Sequence, residues 1–289
     1  MNTNTSSERW LEPGARLEKL AGGFTFTEGP VWVNREQALY FSDIPASITR
    51  RWSEHSGIEV VWAPNDKSNG MFLDQDGALL VCQHGKRRIV KWRGGTAVET
   101  VVNSFGEKAL NSPNDLTVRR DGMIYFTDPP YGLTTAFGEP GRQELEFQGV
   151  YRTTSDRTQV LLVNRRFFRP NGLTFSPDQQ RLYVNDSEES LIRVFQVNAA
   201  GDLEHETLFA EVRGDAPGCP DGMKVDVQGN VYVTGPGGLW VFNPAGEKIG
   251  FLSVPEVVGN LAFGDADRRS LFLTASTSLY RIRVIIPGI

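Results

Sequence analysis

Short apolar runs alternate with polar turns along the whole chain, and the alternation repeats with a long period. Six segments open on a small polar or acidic residue, usually beside Gly or Pro: Glu28 (EGPVW), Asn69 (NGMFL), Asn114 (NDLTV), Asn171 (NGLTF), Asp221 (DGMKV) and Asn260 (NLAFG). Each passes through a turn, such as Asp121-Gly122 or Pro177-Asp178, into an apolar run: LYFSD, LLVCQ, IYFTD, LYVND, VYVTG and LFLTA. The register is tight. Glu28 to Ser42, Asn171 to Asn185 and Asn260 to Thr274 are each 14 residues, while Asn69 to Cys82, Asn114 to Thr127 and Asp221 to Thr234 are 13. The one-residue differences fall in the hairpin turn, where insertions are tolerated. A repeat of roughly 40 to 57 residues with strand–turn–strand content is the signature of a radial array.

Each repeat continues with a third run carrying basic or aromatic ends, such as ITRRW, RIVKW and GLWVF, and in most repeats an edge-like fourth is evident, such as GIEVVWA or EHETLFA. Four antiparallel strands per repeat and six repeats predict an all-β six-bladed propeller. Residues 1–14 read as an N-terminal extension and 15–289 as a single propeller domain. Within it, residues 15–22 (ARLEKLAG) supply an outer strand that closes the ring against the last blade, and the tail VIIPGI is pinned to the body. One Gly- and Pro-rich insertion, Pro129 through Gln148, follows the IYFTD strand and is placed near the channel mouth, as a lid or rim or as passive decoration.

Composition narrows the picture. The 30 glycines and 16 prolines in 289 residues fit a turn-dense β protein. A formal charge of −5 argues against nucleic acid, and Lys86-Arg87-Arg88 reads as a cluster of solvated or loop-anchoring charges. Two cysteines make no disulfide framework, with Cys82 read as a buried small hydrophobe. No run approaches membrane-spanning length and the N-terminus lacks an apolar leader core, so no membrane partner and a cytoplasmic setting are expected, as a monomer or a weak homodimer. The three histidines show no HExxH spacing and the chain has no GxSxG elbow, which weakens zinc-protease and serine-triad chemistry.

In a propeller the six opening residues form a ring of oxygen atoms at one end of the central channel. Glu28 and Asp221 would neutralise a dication, while Asn114 and Asn171 would add neutral carbonyl oxygens. Such a set suits one divalent ion, calcium first, with magnesium, manganese or zinc as alternatives. The bland alternative for any one of these residues is turn geometry alone. Asp43, Asp128 and Asp186, each just past a second strand, read as caps or as blade-to-blade hydrogen-bond acceptors, with an accessory-metal role left open for Asp128 beside Tyr131. Trp32, Trp52, Trp92 and Trp240 read as packing between blades, and Trp32 alone is placed near enough to the Glu28 motif to meet substrate.

The motifs EGPVW, NSPNDLTV, DGMIYFTDPPYG, RPNGLTFSPD and PDGMKVD resemble the gluconolactonase (regucalcin, or senescence-marker-protein) family, related to diisopropylfluorophosphatase, over about residues 15 to 285. The resemblance implies one divalent ion in the channel and hydrolysis of a sugar lactone. Its metal-binding Glu falls on Glu28, the Asn of PNG on Asn171 and the Asp of PDG on Asp221. Asn114 falls on the ND-motif Asn close to metal and substrate. Animal members carry an Arg two residues before that Asn. Ser112 stands there here, closer to the microbial gluconolactonase branch, which makes Asn111 and His84 candidates for substrate hydroxyls, with Tyr131 beside them. Asp221 is the expected base toward the attacking water. Two competing readings remain: organophosphate or phosphofluoridate hydrolysis with Asp221 as nucleophile, and a non-catalytic calcium- or sugar-binding propeller.

Overall fold

A computed structural model describes residues 10–289. Six four-stranded antiparallel sheets account for almost all regular structure. Blade one is built from Thr27–Val33, Ala38–Asp43, Ile48–Ser53 and Gly57–Trp62, blade two from Ser68–Leu73, Leu79–Gln83, Arg88–Trp92 and Val98–Val102. Blade three uses Leu116–Val118, Ile124–Asp128, Gln148–Thr153 and Val160–Phe167, and blade four Pro170–Phe175, Arg181–Asp186, Leu191–Val197 and Leu203–Glu211. Blade five comprises Met223–Val225, Val231–Gly235, Gly238–Phe242 and Lys248–Ser253. Blade six takes Val258–Gly264, Ser270–Ala275 and Ser278–Arg283 from the C-terminal end and completes itself with Glu18–Gly22, which pairs with Ser278–Arg283. The ring therefore closes by β-pairing of the two ends of the chain, as the ARLEKLAG segment predicts.

The second strands read as unbroken apolar runs because both their faces are covered. Ala38–Asp43, Leu79–Gln83 and Val231–Gly235 are buried at every position. Outer strands such as Gly57–Trp62 are only partly covered, with Glu59 and Val60 exposed to solvent. A strand sandwiched between two neighbouring blades has no polar face to present. Six apolar clusters fill the six blade interfaces, for example Leu80, Cys82, Ile89, Leu116, Phe126 and Tyr151 between blades two and three.

Several details depart from the sequence reading. The body begins before residue 15: Trp10 is 3% exposed in the cluster between blades five and six, and Leu11 bridges to Val284. The rest of the expected extension, residues 1–9, lies outside the described residues. Trp32 does not reach the ring of oxygens; its indole stacks on Phe272 and lines a separate cavity of about 440 Å³ at the opposite mouth of the channel. A small hairpin, Ser104–Phe105 with Lys108–Ala109, stands between blades two and three. The tail is pinned as read, with Ile289 N donating to Val225 O and Val227 N to Pro287 O. Among the described residues no helix is long and apolar enough to cross a membrane.

Candidate functional site

The opening residue of each repeat lies at or just before the innermost strand. In blades one, two and four the ladder is broken there, with register shifts between Glu28 and Val31, Ser68 and Met71, and Pro170 and Leu173. A bulge turns a side chain out of the pleat, which frees these residues to face the channel. The neighbouring blades come so close that a Cβ on Gly29 would collide with Asn69 O, and one on Gly172 with Asp221 O. Hence the recurring EG, NG and DG pairs. Each blade also holds the next: Ser42 Oγ donates to Asn69 O at 2.9 Å, Thr127 Oγ1 to Asn171 O at 2.7 Å and Thr234 Oγ1 to Gly259 O at 3.1 Å.

Five of the six opening residues (Glu28, Asn69, Asn114, Asn171 and Asp221) line one cavity of about 160 Å³, walled by Phe26, Ile44, Tyr131 and Phe137. The sixth, Asn260, lies beneath and braces it, donating from Nδ2 to Glu28 Oε2 at 3.0 Å and towards Asp115 Oδ2 at 3.5 Å. Glu28 Oε2 also accepts from Gly29 N at 2.8 Å, leaving Oε1 buried with no partner among the described residues. Asn171 spends its Nδ2 on Ser187 Oγ at 3.0 Å, and its Oδ1 is likewise buried and unpartnered.

Charge at the hub is strongly unbalanced. Burial pushes Glu28 up to about 7, the Asp115 charge adding to it while the Gly29 and Asn260 hydrogen bonds and Lys224 oppose it. Asp221 is raised well above the carboxylate range by burial, then by the charges of Glu28 and Asp115. Three carboxylates thus share a hub that Lys224 offsets only in part. Unsatisfied oxygens around an excess of negative charge are what a hard dication relieves. Among the described residues no three His, Cys, Asp or Glu side chains are grouped closely enough to hold a metal by themselves. A cation here would depend on the amide oxygens as well, and the donor set Glu28, Asn171 and Asp221 fits one in that mixed form.

The remaining sequence-derived candidates fall in different places. Asn114 is at the cavity wall, 5% exposed. Tyr131 lines it too, its hydroxyl pushed up to about 12 by burial and so kept protonated. Asn111 is not brought to the cavity: its Nδ2 donates to Asp128 O and Phe147 O, both at 3.0 Å, so its amide ties down the insertion instead. His84 is at the wall, but both ring nitrogens are engaged, with Phe137 O at 3.0 Å and Asn69 Nδ2 at 3.3 Å. Ser112 pins the same insertion, donating to Pro129 O and accepting from Gly132 N at 2.8 Å. The insertion is therefore a strap across the mouth, with Phe137 packed edge-on to Phe26 at 5.1 Å. Arg87, from the basic cluster, anchors it through Glu144 at 3.0 Å.

Asp115 escaped the site reading, and Asn69 was read as part of the ring without a metal or substrate role. Asp115 had a signal: in four repeats the opening residue is followed by Gly, and only here by a carboxylate. Asn69 was visible as a repeat start, but nothing in its spacing separated it from a turn residue.

The family model described as the SMP-30/Gluconolactonase/LRE-like region matches residues 26–277. The chain is 35% identical to a gluconolactonase of Zymomonas mobilis, covering 94% of this chain and 82% of that protein. It is 28% identical to the pentonolactonase XacC of Haloferax volcanii, over 86% of this chain and 81% of that one. A solved gluconolactonase structure from Xanthomonas campestris superposes with a TM-score of 0.90 at 33% identity, covering 96% and 92% of the two chains. A hub built from these motifs and a match across nearly every blade lead to one assignment: the chain belongs to the SMP-30/gluconolactonase/LRE-like family.

Proposed function

We propose that this protein hydrolyses a sugar lactone at the hub, with a divalent cation, calcium first, held by Glu28, Asn171 and Asp221. The observation that carries the reading is the pair of buried, unpartnered oxygens, Glu28 Oε1 and Asn171 Oδ1, on the one cavity that Asp221 also lines. Lactonases among the relatives supply the substrate class.

When bound, such a cation supplies positive charge to the lactone carbonyl oxygen and so eases attack on the carbon. Asp221, whose carboxylate lines the same cavity, is our candidate for the base that takes the proton of the attacking water. As the ring C–O bond breaks, the same proton can pass to the departing alkoxide, so water and lactone become one hydroxy acid. Phe26, Ile44 and Phe137 keep the cavity small and largely apolar apart from its floor, and the protonated Tyr131 hydroxyl offers a donor at its edge.

The test is a panel of aldonolactones and phosphotriesters, assayed with chelator and after calcium is restored. Lactone turnover that chelation abolishes and calcium restores is expected. Glu28→Gln should lower kcat/KM by about a hundredfold or more and weaken calcium binding in calorimetry, with the β-sheet spectrum unchanged. Full lactone turnover in chelator, or phosphotriester turnover alone, would overturn the reading.

A further inference from the structure

The strap is connected to the hub through a two-residue relay. His84 is 1% exposed, and its Nδ1 lies 3.0 Å from Phe137 O on the strap. A carbonyl oxygen only accepts, so Nδ1 carries the proton. Burial pushes the imidazole down to about 4, so the ring is neutral near pH 7. A neutral ring has a single N–H, and Nε2 is therefore a bare acceptor. It sits 3.3 Å from Asn69 Nδ2, which must be the donor. That contact fixes which way the Asn69 amide faces. Its Oδ1 is left buried and unpartnered among the described residues, on a residue that lines the cavity.

The Asn69 main chain is fixed as well. Its carbonyl accepts from Ser42 Oγ at 2.9 Å, and the next amide, Gly70 N, donates to Asn114 O at 2.9 Å. No group among the described residues satisfies the orphaned oxygen, a buried acceptor without a partner is costly to keep, and a hydroxyl of a ligand in the cavity would supply the missing donor. Position decides which kind of ligand. Glu28, Asn171 and Asp221 come from blades one, four and five, whereas Asn69 comes from blade two, across the channel from blade five and beneath the strap.

We infer that Asn69 is a substrate-positioning residue whose Oδ1 accepts a hydrogen bond from a ring hydroxyl of the lactone, and that His84 holds it in that orientation from the strap. The inference rests on the lactonase reading for the identity of its ligand. It makes the strap a determinant of specificity, because its position reaches the substrate hydroxyl through Phe137, His84 and Asn69 in turn.

The test compares D-glucono-1,5-lactone with δ-valerolactone, the same six-membered ring without hydroxyls. Asn69→Ala should lower kcat/KM for the hydroxylated lactone by about tenfold and leave the unsubstituted one within about twofold, with calcium affinity by calorimetry unchanged. Asn69→Leu, which keeps the volume, serves if the alanine variant does not fold. His84→Ala should show the same selective loss, and His84→Gln, which keeps one donor and one acceptor, should recover most of it. Equal losses on both lactones, weakened calcium affinity in the Asn69 variant, or no selective loss in His84→Ala would overturn the inference. If the wild-type protein opens no lactone of the aldonolactone panel, the lactonase reading falls by itself. Calorimetric titration with D-gluconate and 5-hydroxypentanoate then decides the Asn69 role: a preference for the polyol acid that Asn69→Ala removes supports it, and no such preference overturns it.

Discussion

Asp43, Asp128 and Asp186 show how one position in a repeat can carry one task in several settings. Asp43 Oδ1 accepts from Thr25 N and Phe26 N, both at 3.1 Å, and Asp186 accepts from Phe168 N at 2.7 Å and Arg169 N at 3.1 Å. Asp128 accepts from Asn111 N at 2.7 Å. Each caps the backbone just before the innermost strand of its own blade, the role that a carboxylate just beyond a second strand suggests. Asp128 differs in its energetics. It is fully buried, one oxygen has no partner among the described residues, and burial pushes it up to about 7. In the unfolded chain it would titrate near 4. Between those two values the native state holds a proton that the unfolded state has released, so its contribution is complete below about pH 4 and falls as pH rises to about 7. Asp128→Asn should flatten that fall by up to about 4 kcal/mol. Urea midpoints of wild type and variant, measured in chelator from pH 4.5 to 7.5, give the difference directly; parallel curves would contradict it.

At the level of elements, the strap between Asp128 and Gln148 is the part of the molecule that depends most on close fit. Gly132 has no room for a side chain, since a Cβ there would lie 2.6 Å from His84 Cβ and 2.7 Å from Ser112 Cβ. Gly132→Ala must lift the strap, weakening its 2.8 Å bond to Ser112 Oγ and the Phe137–His84 contact. The strap contributes little of the apolar core, so the melting temperature should fall only slightly. Lactone kcat/KM should drop about tenfold or more as the cavity loses its cover. Steady-state kinetics with limited proteolysis of the strap measure both, and unchanged kinetics with a more readily cut strap would show that the cover is dispensable. The inner strands teach a related lesson. Their breaks at Glu28 and Asn171 place the site, and the bulge that breaks the ladder is also what aims the side chain.

For the whole molecule, closure is the dominant requirement, because a propeller missing one seam exposes two blade faces at once. Two chain ends make that seam. Glu18–Gly22 pairs with Ser278–Arg283, and Trp10 packs against Tyr232 with ring centroids 5.7 Å apart. Arg281 adds ion pairs to Glu18 at 2.9 Å and Glu54 at 2.8 Å, exposed enough to count for little. Burial of Trp10 matters more. Trp10→Ala should cost about 3–5 kcal/mol, read as a lowered denaturant midpoint with an unchanged m-value. A loss below about 1 kcal/mol would mean that the interface between blades five and six holds without it.

The sequence by itself determined the repeat, the number of blades, the closing strand and four residues of the hub. These are written locally: apolar runs buried on both faces, turn dipeptides at fixed offsets, and polar residues followed by glycine where neighbouring backbones meet. Tertiary structure alone decided that Asn260 lies under the cavity, that Asp115 and Lys224 set its charge, that Asn111 and Ser112 serve the strap, and that Trp32 belongs to the far mouth. The reason is physical. A side chain's partners at the hub come from other blades, up to 232 residues away for Asn260 and Glu28, and no local pattern encodes which of six equivalent oxygens the ring will turn towards one another.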